Sequence, residues 1–377
     1  MGRHLSRILP EYGHFQGLFC AMPIQSSVRY TYGAASSYNG SIKGTEMPKA
    51  VSLFSGCGGS DAGVMAAGFD VVMANDILPY ARDVYLANFE ETDYQLGDIR
   101  GITSFPEAEL LVGCYPCQGF SQGGAREADR KINTLYVEFA RALNTIQPKA
   151  FIAENVSGLR RSTYRHLLED QLKQFSDAGP HGYKVYWQQL NAHEYGVAQE
   201  RKRLVIVGIR KDIDAPFSFP LATHGPLSDQ PYFSIGQALD GLPDWPEGEY
   251  CEDPFHWYYL SRNRRRGWDE ISKTIVSHMR HMPLHPVSPA LKRIHTDSWV
   301  FESEMPARRF SYREAARLQG FMPRYTTHGG DMVFPSTIAD NKKDFAYNML
   351  RHRYRVIGNA VPPPMFEAVA KALPDIW

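Results

Sequence analysis

The chain has no run approaching the roughly eighteen consecutive apolar residues of a membrane span, and its opening segment carries no unbroken apolar stretch of signal-peptide type. A cytoplasmic protein without a membrane partner is the expectation. Net charge is also missing: 41 Lys and Arg balance 41 Asp and Glu, so no overall positive field holds the chain on nucleic acid indiscriminately. Cysteine is scarce. The five, at positions 20, 57, 114, 117 and 251, are odd in number and scattered over 377 residues, unlike a disulfide scaffold and suited to a reducing compartment. No internal repeat is visible. The opening Met1-Gly2-Arg3-His4-Leu5-Ser6 fits the loose myristoylation pattern, which is too short to carry weight.

What is present is enough apolar sequence, 43%, to bury a full core with room for two domains. Residues 1–46 are rich in Gly, Ser and Tyr, lack periodicity and end in Gly40-Ser41-Ile42-Lys43-Gly44, the composition of a flexible extension. The folded part is expected from Met47, which directly precedes the first strand-like run and is itself a candidate start. Short apolar runs then alternate with helical stretches: strands at 50–54, 71–74, 109–112, 150–153, 183–190 and 204–209, helices at 61–67 and 134–145. This pattern predicts an α/β fold, a parallel sheet covered by helices, with ligands beyond the carboxyl ends of its strands. Residues 47–212 form the expected first domain. The Pro- and aromatic-rich stretch 213–306 reads as a second, smaller one, and 307–377, with helices at 312–319 and 364–373, returns to the first.

Chemistry-bearing residues fall just past those strand ends. Phe54-Ser55-Gly56-Cys57-Gly58-Gly59 is a Gly-rich turn before a helix, where backbone and free N–H groups can approach a ligand. Its spacing is not the G-x-G-x-x-G of dinucleotide enzymes, and no Lys-Ser/Thr follows as in a P-loop. Asn75-Asp76 closes the second strand with an acid placed for ribose hydroxyls, although a lone Asp there would read as a surface acid capping a helix, and Asp98-Ile99 extends the same pocket. Cys114-Tyr115-Pro116-Cys117-Gln118 puts thiols where a strand passes into a loop. A metal half-site would need about four ligands, and no second Cys/His pair has the spacing, so no metal is expected. A thioredoxin-like redox pair would leave the other elements unexplained. Glu154, between Phe151-Ile152-Ala153 and Asn155-Val156, ends a buried strand where desolvation raises a carboxyl pKa. The plainer reading is a carboxylate satisfied by Arg201 or Arg203 of Gln199-Glu200-Arg201-Lys202-Arg203. Gly358-Asn359-Ala360-Val361-Pro362 lies near the end.

In this order, over residues 48 to 377, these five elements resemble the cytosine-5 DNA methyltransferases of bacterial or phage type. The resemblance implies a doubly wound, Rossmann-like methyltransferase sheet with a small, mostly irregular or β target-recognition domain. It implies S-adenosylmethionine as cofactor, held by Phe54, Gly56, Gly58, Asp76, Ile77, Asp98, Ile99, Leu135, Asn359, Ala360 and Val361. Where many relatives show Glu and then an aromatic residue, this chain has Asp76 and Ile77, which shortens one reach and removes one stacking partner. Cys117 is the implied nucleophile toward C6 of cytosine and Cys114 its neighbour. Glu154, Arg201 and Arg203 complete the implied catalytic set, with Glu154 at N3 and Arg203 holding the flipped base. An enzyme acting on a ring carbon inside a duplex must extrude the base. The loop from Gly119 to Arg126 has glycines to move and, with Gln118, Ser121 and Arg126, groups to touch DNA.

Charge is concentrated locally. Between Arg262 and Arg313, eleven Lys and Arg face five Asp and Glu. Within it Arg262, Arg264, Arg266 and Arg280 are candidates for DNA contact, since arginine presents a fork to guanine O6 and N7 or neutralises phosphate. A solvated face is the blander reading. Thr274-Ile275-Val276, Arg280 and His285-Pro286 follow in an order similar to bacterial methylases that read GGCC. The stretch Phe310–Gln319 resembles the helix supporting the recognition domain, and Arg308 and Arg309 are further phosphate candidates. The expected partner is duplex DNA, met by a monomer, with a restriction endonuclease sharing the site but not bound directly. The rivals are a transfer-RNA cytosine methyltransferase of the same fold and a catalytically silent DNA-binding relative.

Overall fold

The computed structural model describes residues 46–116, 135–336 and 345–377. The extension at 1–45, and the loop carrying Cys117, Gln118, Ser121 and Arg126, lie outside the described residues.

Seven strands make the main sheet: β1 (Lys49–Leu53), β2 (Asp70–Asp76), β3 (Asp93–Leu96), β4 (Leu110–Gly113), β5 (Ala150–Val156), β6 (Tyr183–Asn191) and β7 (Lys202–Arg210). Their order is β3-β2-β1-β4-β5-β7-β6. The central strands are the near-continuous apolar runs, because a strand covered on both faces has no solvated side. Ala50, Val51, Leu53, Leu110, Leu111, Val112 and Phe151 are all fully buried. The edge strands β3 and β6 carry the exposed Leu96 and Trp187.

The sheet is not wholly parallel. β7 runs antiparallel to both β5 and β6, which corrects the expectation of one parallel sheet. Only ten residues connect Asn191 to Lys202, too few for the crossover of a dozen or more that parallel neighbours require.

Helices cover both faces. On one, α3 (Tyr136–Ile146) and α4 (Arg165–Ser176) pack an aromatic cluster of Phe139, Phe151, Phe175 and Tyr183. On the other, α1 (Gly59–Ala66) and the closing helix α8 (Pro363–Lys371) join Val64, Phe366 and Val369 to Val71 and Val205. The helices α2 (Pro79–Leu86), α5 (Ile235–Leu239), α6 (Tyr312–Gln319) and α7 (Phe345–Asn359) share a further cluster. Sequence reading passed over α7, whose buried Met349, Leu350, Tyr354, Val356 and Ile357 are interleaved with arginines and histidine. Residues 213–306 are largely irregular, as expected, with one hairpin of β8 (Leu291–His295) and β9 (Ser298–Phe301) and the short α5, which has a Ser234–Gln237 capping box. None of the described helices is long and apolar enough to cross a membrane.

β1 has β2 on one side and β4 on the other, so the direction of winding reverses between β1 and β4. Open α/β sheets bind ligands at that switch point. The loops leaving it are the Gly-rich turn after Leu53 and the Cys114-Tyr115-Pro116 stretch after Gly113.

Candidate active site

The turn after β1 is strained and tightly held. Phe54, Gly56 and Gly58 have φ of 58°, 55° and 89°, and a left-handed aromatic residue persists only where its surroundings over-determine it. Ser55 N–H donates to Asn75 O at 2.9 Å, Gly58 N–H to Ser55 O at 2.9 Å, and Tyr94 Oη to Gly56 O at 3.1 Å. Beneath lies a hydroxyl chain. Ser55 Oγ donates to Ser52 Oγ at 2.9 Å, and Ser52 and Ser60 both donate to Asp61 Oδ1, at 2.6 and 2.8 Å. Asp61 is fully buried, its Oδ2 has no hydrogen-bond partner among the described residues, and desolvation raises its pKa.

Two glycines shape the space above. A Cβ on Gly59 would fall 2.2 Å from Val361 O, so the C-terminal segment docks directly on α1; a Cβ on Gly56 would meet nothing within 4 Å and project into open space. Asp76 secures this cradle with both oxygens: Oδ2 accepts from Gly56 N–H at 3.0 Å and Oδ1 from Leu78 N–H at 2.9 Å. Burial raises its pKa against those bonds. Beside it Ile77 is 60% exposed, an apolar face without cover, whereas Ile99 is 3% exposed within the core. Asp98 turns to Arg100, accepting from its backbone at 3.0 Å and its Nε at 2.9 Å, which holds the carboxyl down at about 2. Leu135 is half-buried before α3, Asn359 is exposed at the end of α7, and Ala360 and Val361 are buried. A nucleoside and an amino-acid tail fit this set: an open glycine cradle, acids at two strand ends and an uncovered aliphatic side chain.

Glu154, near the end of β5, lies 2.7 Å from Arg203 Nε. Its pKa is raised by desolvation, with Arg203 and then Arg201 pulling it back. The Asn155 Nδ2 alongside is buried without a partner among the described residues. Cys114 is half-buried, and desolvation followed by Glu154 pushes its thiol well up, so it is a poor nucleophile.

Of the two arginines offered to Glu154, Arg203 makes the ion pair. Arg201 is turned elsewhere: Nη1 donates to Ile275 O at 3.0 Å, and Nη2 to Gly358 O at 2.9 Å and Ala360 O at 2.8 Å, while its buried Nε has no partner among the described residues. Sequence reasoning missed the companion clasp. Gln199 Nε2 donates to Leu318 O at 2.8 Å and Gln319 Oε1 at 2.6 Å, its Oε1 accepts from Ile275 N–H at 3.0 Å, and Gln319 bonds Ala360 O. Four distant segments meet there, and no local spacing signals it.

The arginine run divides. Arg262 is exposed and has no polar partner among the described residues. Arg264 Nε donates to Tyr259 O at 3.1 Å, Arg266 lies 3.7 Å from Glu270, and Arg280 lies 2.5 Å from Asp253. Arg308 and Arg309 are not phosphate contacts, since each is 1% exposed. Arg308 grips Glu314 with two bonds of 2.8 Å, and Arg309 donates to Cys251 O at 3.1 Å and Asp253 O at 2.7 Å.

The switch-point cradle and the acid–arginine pair lie on one α/β sheet of methyltransferase type. Solved structures share that fold: a prophage-encoded DNA modification methyltransferase from E. coli, TM-score 0.60 at 21% identity, covering 86% of this chain and 98% of that one, and DNMT2 from Spodoptera frugiperda, TM-score 0.58 at 17% identity, covering 85% and 97%. The chain belongs to the C-5 cytosine-specific DNA methylase family, whose model matches residues 48–375. It is 35% identical to the type II methyltransferase M.BsuRI of Bacillus subtilis, over 87% of this chain and 80% of the relative. With M.NgoPII of Neisseria gonorrhoeae the identity is 34%, over 86% and 95%.

Proposed function

We propose that this DNA (cytosine-5-)-methyltransferase modifies cytosine within one short duplex sequence, GGCC-like, with Cys117 as nucleophile and Glu154 as the acid at N3. The observation that carries the reading is the pair of Arg203 with the buried Glu154, 2.7 Å apart, near the end of β5. A carboxyl group raised by burial can keep a proton for N3 and accept from the exocyclic amine, drawing electron density from the ring as the thiolate adds to C6. Arg203, already oriented by Glu154, is placed to hold the base.

The cradle of Phe54, Gly56 and Gly58, with Asp76, Ile77, Asp98, Leu135 and Asn359 around it, would hold S-adenosylmethionine, which supplies the methyl group as a sulfonium electrophile. Asp76 fixes the cradle as well as facing a ligand. Ile77 offers an apolar face to a ring. Arg201 acts as a positioning residue, tying the strand of Arg203 to Ile275 and to the Gly358–Ala360 carbonyls. Residues 213–306 form the target-recognition part, in which Arg262, exposed and without a polar partner among the described residues, is the best placed of the arginine run for DNA. The enzyme works as a monomer on duplex DNA, and a cognate endonuclease would share the site without binding.

The test is incubation with tritiated S-adenosylmethionine and unmethylated duplex DNA, beside Cys117→Ala and a transfer-RNA control, followed by mapping of methylated cytosines. Label at one short motif, lost in the variant, is the expected result. Label in transfer RNA alone, or in DNA regardless of Cys117, overturns it.

A further inference from the structure

Away from Glu154, five ring residues gather on the surface of the 213–306 segment. His256, Trp257 and Tyr258 run into the turn Tyr259–Ser261, while His278 precedes the turn Met279–His281 and His281 closes it. His278 and His281 stack at 4.8 Å and 26°, and Tyr258 lies 5.6 Å and His256 6.3 Å from His281. The platform beneath is rigid: Tyr259 and Met279 are buried, and Tyr259 Oη donates to Met282 O at 2.8 Å. Trp257 is nonetheless 80% exposed and Tyr258 43%. Large rings left in water on an anchored surface mark a place where something docks.

The surrounding charge is positive. His278 faces Arg280, Arg351 and Asp253; His281 faces His278, Arg264, His256 and Arg309. Asp253, the one acid among these groups, is already held by Arg280 at 2.5 Å and Tyr347 at 3.0 Å. The His281 ring has no hydrogen-bond or ion-pair partner among the described residues, and the His278 ring meets only its own backbone. Among the described residues no cluster of three or more His, Cys, Asp or Glu is placed for a metal ion.

We propose that this ring face is a docking surface for the backbone of duplex DNA, bound together with protons taken up by its imidazoles. The proposal rests on the DNA-methylating role proposed above. Aromatic surface packs on sugar, and imidazolium, unlike imidazole, donates from both ring nitrogens to phosphate. In the free protein desolvation, with neighbouring cations, lowers the His278 and His281 pKa values, so both are neutral at pH 7. A phosphate reverses that bias. By linkage, affinity rises as pH falls, by up to about tenfold per pH unit for each proton taken up.

The test is anisotropy titration of a labelled duplex with the full chain at pH 6, 7 and 8, at one ionic strength. It is run beside the double variant His278→Gln/His281→Gln and, with tritiated S-adenosylmethionine, for methyl transfer. The expected result is a wild-type Kd at least fivefold lower at pH 6 than at pH 8, a dependence mostly lost in a double variant of unchanged circular dichroism and melting temperature. Wild-type protein that binds and methylates DNA with a pH-independent Kd overturns the inference and leaves the function standing. A double variant with the wild-type pH dependence does the same. Wild-type protein that neither binds duplex nor labels it overturns the underlying reading.

Discussion

Arg203 reaches diagonally across the β5–β7 ladder to place Nε 2.7 Å from Glu154 Oε1, though the residue paired with Glu154 is Val205 and that paired with Arg203 is Val156. Alternation puts all four side chains on one face of the sheet, and diagonal neighbours on that face are within reach of a long side chain. The pair sits where burial and the guanidinium act on one carboxyl group in opposite senses.

Glu154→Gln should lower kcat by ~10²- to 10⁴-fold while cofactor affinity stays within about twofold of wild type. Its stability signature runs the other way. The folded pKa of Glu154 lies above the unfolded one, so the native state keeps a proton that the unfolded chain has lost. The group's contribution is best below the unfolded pKa and declines as pH rises through the folded one. The melting temperature of the variant relative to wild type should therefore be more favourable at pH 8 than at pH 5, as scanning calorimetry at both pH values will report. A difference independent of pH would mean that Glu154 is ionised throughout.

Gly56→Ala separates fold from cofactor. At φ of 55° an alanine costs ~1 kcal/mol, yet its Cβ would meet no protein atom within 4 Å. Stability should fall only by that amount, whereas affinity for S-adenosylmethionine in calorimetric titration should fall by at least tenfold, because the methyl group enters the cradle. Equal cofactor affinity would move the cofactor off this turn.

The sheet and the candidate site were legible in the sequence to different depths. Strands such as Leu110–Gly113 and Ala150–Val156 announce themselves as apolar runs, and the capping box of Ser311 and Glu314 marks where α6 begins. The reversal of β7 was hidden, because a strand looks the same in either direction and only the ten-residue link to β6 forbids a crossover. In the site, Glu154 and its partner Arg203 are local features of strand ends. The role of Arg201 was not readable, since its carbonyl acceptors at 275, 358 and 360 lie far away in sequence.

Those acceptors make Arg201→Met a test of positioning. Its guanidinium is fully buried and is the common partner of three carbonyls, so removal should cost ~3 kcal/mol or more in urea denaturation. The surviving folded protein should show weaker coupling between cofactor and DNA, read as the ratio of DNA Kd values with and without S-adenosylhomocysteine, because the tie between Ile275 and the Gly358–Ala360 segment is cut. An unchanged ratio would reduce Arg201 to a stabilising residue.

Arg308 tests whether positive charge in this region acts on DNA or on the fold. Sequence alone places it in the basic stretch, but its side chain is enclosed, bonded twice to Glu314 at 2.8 Å, with His285 3.4 Å from the same carboxylate. Burial followed by Arg308 and Arg265 pushes the His285 pKa down to about 3, so the arginine is the partner that neutralises Glu314. Arg308→Ala leaves that carboxylate buried and unpaired, a loss of ~3–5 kcal/mol. A phosphate contact would instead show in the salt dependence of DNA binding, each one steepening the slope of log Kd on log salt by ~0.9. The variant, assayed at a temperature where it remains folded, should keep the wild-type slope while its melting temperature falls. A shallower slope with unchanged melting would return Arg308 to the DNA surface.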